Sequence, residues 1–147
     1  MEKLVIAAHK GGSGKTTVAV NLAGAFANLG MRVLLVDTDP QGACAAALGV
    51  NPEKPTLYEV LVGHAQRQEA IIGTSIPGLS LLPSDLDLAG AEVELPKLDH
   101  WQQLLSRVLV SLESVCDVAL IDTPPGLGVL SYSALKAATG ALCKQRN

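Results

Sequence analysis

The chain has 147 residues, of which 48% are apolar and only 17% charged. That balance excludes a disordered chain and suits one domain, with a core of Leu, Val, Ile and Ala because aromatics make up only 3%. With 11 basic and 14 acidic residues the net charge is −3, so bulk electrostatics do not mark a nucleic-acid binder.

Residues 4–8 are a short apolar run that reads as a fully buried strand. The run is too short for a signal peptide and leads straight into a glycine-rich loop. Val18, Leu22, Ala25, Phe26 and Leu29 then recur at helical spacing and predict a helix, with Gly30 as its stop. Residues 33–36 form a second buried strand, which ends in Asp37, Thr38, Asp39 and Pro40. Strand, helix and strand in this span make a βαβ unit, which implies parallel strands.

The Ala-rich residues 41–50 predict a short helix. Residues 56–62 predict another, with Thr56 as N-cap and Gly63 as stop. Residues 79–82 read as a short strand and residues 85–93 as one or two helical turns. Leu98, Trp101, Leu104, Leu105, Val108 and Leu112 mark an amphipathic helix after Pro96, with Trp101 facing the core. Residues 118–122 are a third buried strand ending in Asp122. Residues 123–128 are a loop, residues 132–138 a helix, and residues 141–143 the start of another strand. No apolar stretch approaches the roughly 18 residues that would span a membrane. Cys44, Cys116 and Cys143 form no Cys-x-x-Cys pair and read as free thiols of a reducing cytoplasm.

The chemistry lies in Lys10, Gly11, Gly12, Ser13, Gly14, Lys15, Thr16 and Thr17. A triphosphate needs many close donors, and backbone N–H groups supply them best where no Cβ intervenes. The helix starting near Lys15 adds its N-terminal partial charge. In a P-loop of this kind Lys15 neutralises the β- and γ-phosphates and the Thr16 hydroxyl ligates Mg²⁺. The strict pattern has glycine five residues before Gly14; here His9 stands there, and a second lysine, Lys10, is present. Asp37, Asp39 and Asp122 sit at strand ends, where open α/β sheets bind ligands. Asp37 and Asp39, two apart, are placed to face one side of an extended segment.

These residues resemble the ParA/MinD family of ATPases. Residues 10–17 resemble its deviant Walker A motif, residues 36–42 its Walker A′ motif, and residues 120–125 its Walker B motif. Leu81, Leu82, Pro83 and Ser84, with residues 88–92, resemble the stretch between the motifs in ParA and Soj proteins. The resemblance runs from Lys3 to about Leu142 and implies ATP and Mg²⁺ as cofactors in a dimer that closes around nucleotide. By the same resemblance, Lys10 reaches the partner's phosphates, Asp39 orients the attacking water, and Asp37 and Asp122 hold Mg²⁺ mainly through waters. It further implies partition of plasmids or chromosomes with a ParB-like partner and non-specific DNA, no membrane contact, and a cytoplasmic, nucleoid-associated location. His9 stands where the family commonly has glutamine.

The expected fold is a three-layer α/β/α P-loop domain with a mainly parallel sheet. Family members continue well past residue 147, so the chain is expected to be one partial domain lacking the later strands, the adenine loop and much of the DNA surface. Two other readings stay open. One is a metabolic relative on the same fold, an iron-protein-like reductase or an ATP-dependent ligase; the other is a shortened binding module without turnover. His64 and His100 read as surface or capping residues. No Gly-x-Ser-x-Gly surrounds Ser13, Ser131 or Ser133, so a serine hydrolase is excluded.

Overall fold

A computed structural model describes residues 1–8, 10–12 and 14–144. Five parallel strands and one short antiparallel strand form a single sheet. The strands are β1 (Glu2–Ala8), β2 (Val33–Asp37), β3 (Ile72–Gly73), β4 (Leu79–Leu82), β5 (Val118–Asp122) and β6 (Gly140–Lys144), ordered β3-β4-β2-β5-β1-β6. Among the described residues only the β3–β4 pair is antiparallel.

Both faces of the sheet are covered, which explains why the strands are continuous apolar runs rather than alternating ones. The two-residue side-chain period sorts each strand's residues between two cores. Val33, Leu35, Val118 and Leu120 pack on one side, against α1 (Lys15–Asn28) and α2 (Ala43–Leu48). Leu34, Val36, Ala119 and Ile121 pack on the other. That second layer holds α3 (Leu57–Leu61), α4 (Arg67–Ala70), α5 (Ala91–Glu94), α6 (Leu104–Val110) and α7 (Val129–Ala137). The architecture is the expected three-layer α/β/α sandwich.

An ion pair joins β2 to β5 at the lower end of the sheet. Arg32 donates from its backbone N–H to Asp117 Oδ2 at 2.7 Å and from its guanidinium to Asp117 Oδ1 at 2.8 Å. The Asp117 N–H returns a bond to the Arg32 carbonyl at 2.8 Å. These bonds lock β2 to β5 at their starts, so Val33 lies opposite Val118 and, four residues on, Asp37 lies opposite Asp122.

Several local expectations need correction. The apolar stripe expected on the first helix is displaced: α1 buries Ala19, Ala23 and Ala27, while Val18 and Leu29 are exposed. Small side chains let the helix lie close to the sheet, and the larger Leu22 and Phe26 pack at the margin. The helix expected after Pro96 is broken. His100 sits at φ 57, a single 3₁₀ turn covers Trp101–Gln103, and α6 starts only at Leu104. Leu98 is exposed, and Trp101 is half-buried at the edge of the core, with its ring 5.6 Å from that of Tyr132. Neither β3 nor α4 was foreseen; two to four residues are too few for any periodicity to show.

The other predicted elements are present, although α7 begins at Val129 rather than at residue 132, and a 3₁₀ turn at Leu95–Lys97 was not foreseen. Thr56 opens α3, its N–H bonded to Glu59 Oε2 at 2.8 Å. Asp85 caps the 3₁₀ turn Leu86–Gly90 by accepting from the Asp87 N–H at 3.0 Å. Among the described residues the cysteines are free thiols, and no helix is long and apolar enough to cross a membrane.

Candidate functional site

The carboxyl ends of β1, β2 and β5 converge beneath the glycine loop. Asp37 shares the parity of Val33 and Leu35, and Asp122 that of Val118 and Leu120, so both acids project into the layer of α1 and α2. The residues that follow the acids bind the strand ends together. Thr38 donates from N–H and hydroxyl to the Asp122 carbonyl, at 2.9 and 2.7 Å. The Thr123 hydroxyl donates to the Ile6 carbonyl at 2.7 Å.

The first turn of α1 meets the acids from above. Gly14 opens the helix at φ 84, and Gly12 lies at φ 71, left-handed conformations that strain any residue with a Cβ. The Val18 N–H closes the first helical bond on the Gly14 carbonyl at 2.9 Å. Lys15 is buried, Thr16 half-buried and Thr17 exposed. The Thr16 hydroxyl donates to Asp122 Oδ2 at 2.6 Å, the direct link between the loop and the strand-end acid. Lys10, Gly11 and Gly12 are exposed. A Cβ built at Gly11 would stand 3.5 Å from Pro125 Cβ, so the loop after β5 abuts the glycine loop. Ser13 and His9 lie outside the described residues.

Asp37 anchors the turn into α2. Its Oδ1 accepts from the Asp39 N–H at 3.0 Å and its Oδ2 from the Cys44 N–H at 3.3 Å. Asp39 is half-buried and does not join the Asp37–Asp122 pair. Its Oδ1 instead accepts from the Gln41 N–H at 3.0 Å, and its carbonyl accepts from the Ser84 hydroxyl.

The electrostatics of the pair are unfavourable as they stand. Burial pushes Asp37 up to about 7; the Asp39 and Cys44 amides oppose this, and the Asp122 charge adds to it. Burial also raises Asp122, against the Thr16 and Cys44 hydrogen bonds. Asp122 Oδ1 is buried with no hydrogen-bond partner. Two buried carboxylates, an orphaned oxygen and a hydroxyl form the hard-oxygen donor set that suits a small divalent cation.

Three contributors had no role assigned from the sequence, although Ser84 and Glu92 fall in the stretch that resembles ParA and Soj proteins. Cys44 is fully buried on α2, with Sγ 3.4 Å from Asp122 Oδ2; a single thiol in an Ala-rich stretch carries no spacing signal. Ser84 lies beyond β4 and donates its hydroxyl to the Asp39 carbonyl. Glu92 accepts from the Val129 N–H at 2.7 Å and the Leu130 N–H at 3.3 Å, so an acid 37 residues away caps α7. Its oxygens would lie within 3 Å of any Cβ at Gly128.

Comparison with known proteins now adds to this geometry. The family model described as "AAA domain" matches residues 1–144. The chromosome partitioning protein ParA of Caulobacter vibrioides is 44% identical over 139 residues, which cover 92% of this chain and 52% of that protein. The sporulation initiation inhibitor protein Soj of Bacillus subtilis is 40% identical over 136 residues, covering 91% and 54%. The chain thus spans about half the length of the curated relatives it matches. The structure of cobyrinic acid a,c-diamide synthase from Mycobacterium smegmatis, with a bound ATP analogue and magnesium, superposes with a TM-score of 0.93. It is 40% identical, with 97% of this chain and 59% of that one covered.

Proposed function

We propose, because this chain belongs to the AAA domain family and stands among ParA- and Soj-like P-loop ATPases, that it binds ATP with Mg²⁺ and hydrolyses it slowly as a nucleotide-switched dimer. The observation that carries this reading is the Thr16 hydroxyl bonded to Asp122, with Asp37 opposite, under a glycine loop at a helix N-terminus. Lys15 and the N–H groups of residues 11–16 would hold the phosphates. Thr16, Asp37 and Asp122 would hold Mg²⁺, directly or through water, and that ion would neutralise charge between the β- and γ-phosphates.

Lys10, exposed at the rim of the loop, is assigned to the γ-phosphoryl oxygens of a partner subunit, where charge develops during transfer. Asp39 is assigned to orienting water, at the hinge between β2 and α2. Residues 38–42 and 123–128 are the segments that would respond to the γ-phosphate, since both are bonded to the strand ends. The cellular role we propose is DNA partition with a ParB-like partner and non-specific DNA. It is supported by the partition relatives and applies to the whole protein of which such a domain is part.

The test is equilibrium Mg²⁺-ATP binding and steady-state hydrolysis by this chain. Lys15→Ala should weaken binding on the order of 100-fold, about 2.7 kcal/mol. Lys10→Ala should keep binding but lower turnover on the order of a thousandfold. Equal nucleotide affinity in the unmodified chain and Lys15→Ala would defeat the reading. A second reading, an ATP-dependent ligase, is favoured by the likeness to the M. smegmatis synthase. It requires ADP release that depends on a carboxylate substrate and is indifferent to Lys10→Ala.

A further inference from the structure

We propose that Cys44 turns the Asp37–Asp122 pair into a mixed oxygen–sulfur site that takes a thiophilic divalent cation, Zn²⁺ or Cd²⁺. One ligand atom each from Asp37, Cys44 and Asp122 lies within 4.8 Å of the other two, and all three residues are buried. The three come from β2, α2 and β5, so the main chain holds them in place rather than a mobile loop. Cys44 is doubly fixed: its N–H is bonded to Asp37 Oδ2 at 3.3 Å, and its Sγ stands 3.4 Å from Asp122 Oδ2. Two ligands sharing a tetrahedral Zn²⁺, at about 2.3 Å for sulfur and 2.1 Å for oxygen, lie about 3.6 Å apart. The Cys44–Asp122 separation already has this value within a few tenths of an ångström.

A second observation concerns one of the same three residues. Asp122 is 1% exposed, yet its Oδ1 has no hydrogen-bond partner, although its Oδ2 is engaged by both Thr16 and Cys44. A buried carboxylate oxygen without a donor calls for a cation. Mg²⁺ makes little use of sulfur, whereas Zn²⁺ and Cd²⁺ gain from it, and mixed sites bind first-row cations more tightly toward the end of the series. On binding, the metal–sulfur bond forms, the thiol proton leaves to solvent, and no electrons are transferred.

No nucleotide is needed, so this site goes beyond the ATPase reading. It rests on that reading only in its consequence, that a bound Zn²⁺ or Cd²⁺ excludes Mg²⁺ and stops turnover.

The experiment titrates Cd²⁺ into the nucleotide-free chain and follows the ultraviolet thiolate-to-cadmium charge-transfer absorbance. The background is Cys116→Ser/Cys143→Ser, which leaves Cys44 as the one thiol. The expected result is a band that saturates at one Cd²⁺ per chain. It should vanish when Cys44→Ser or Cys44→Ala is added, with either variant still showing a folded far-ultraviolet spectrum. Asp122→Asn should keep the thiol but weaken Cd²⁺ binding at least roughly tenfold. No band in the background variant, or an Asp122→Asn affinity equal to it, overturns the proposal. Mg²⁺-ATP binding without a Cd²⁺ band would sink this site alone. A Cd²⁺ band without Mg²⁺-ATP binding would sink the ATPase reading alone.

Discussion

Two clusters of carboxylates in this molecule have opposite fates. Asp37 and Asp122 lie buried at the strand ends beside a thiol, with one oxygen unpartnered. Glu59, Asp85 and Asp87 converge at the surface on one ammonium: Lys54 Nζ is 2.8 Å from Glu59 and 3.0 Å from Asp85, and is also bonded to Asp87. In the first cluster burial drives Asp37 up to about 7. In the second the partial burial of Glu59 also acts upward, but Lys54 and the Thr56 amide prevail and hold it at about 2. The surface cluster carries its own cation and joins α3 to the 3₁₀ turn Leu86–Gly90 and its cap Asp85, so its work is structural. Among the described residues no ammonium is ion-paired with the buried cluster, where the Lys15 charge only partly offsets burial at Asp122, and that imbalance supports the ligand-binding reading proposed above.

The largest effect that would test this contrast comes from Asp122→Asn. Mg²⁺-dependent turnover should fall on the order of a hundredfold or more. Metal-free stability should rise by about 1 kcal/mol, a few degrees in Tm, because a buried charge is removed. A loss of both in thermal melts and ATPase assays would place Asp122 with the structural acids instead.

The pH dependence separates the clusters next. Asp37 has a folded value above its unfolded 3.8, so its contribution is fully present below about pH 4 and is lost as pH rises through about 7. Denaturant melts of the metal-free chain should show a fall on the order of a few kcal/mol across that window. Asp37→Asn should shrink it, leaving the smaller part that the raised Asp122 contributes, and a flat profile in the unmodified chain would refute the assignment. Glu59 has the opposite sign: its folded value lies below 4.5, so its contribution is present above that pH and is lost as pH falls through about 2. The smallest effect is expected from Lys54→Ala, an exposed hub screened by solvent, at no more than about 2 °C in Tm with activity unchanged. A larger loss, or one that reached nucleotide binding, would dissolve the distinction.

Much of this arrangement was legible in the sequence because the strands are buried on both faces. Runs such as Val33–Val36 and Val118–Ile121 admit no helical periodicity, and the polar residues after them must then lie at the sheet's edge. The glycine loop was legible because few contexts require so many residues without a Cβ before a lysine and a hydroxyl. The buried face of α1 was misread because hydrophobicity favours large residues, whereas close approach to a sheet favours Ala19, Ala23 and Ala27. Trp101 was placed too deep because His100 breaks the helix expected to carry it inward. The roles of Cys44 and Glu92 went unread for a different reason, even though residues 88–92 carried a family resemblance: they depend on partners 78 and 37 residues away. Nothing in the local sequence records such pairings.

The register that sets Asp37 opposite Asp122 also makes the site a caliper with one fixed jaw. The separation of the two Cα atoms follows from strand spacing, about 4.8 Å, and backbone hydrogen bonds hold it whatever the side chains are. Substitution cannot widen that jaw by small steps, because a register shift of one residue would turn every core side chain of the strand to the wrong face. The opposing jaw is different. Thr16 and Cys44 ride on separate helices hung from glycine-bearing turns, and either can be exchanged without disturbing the ladder. On the metal reading proposed above, ion preference would therefore be set through those two helical positions rather than through the acids.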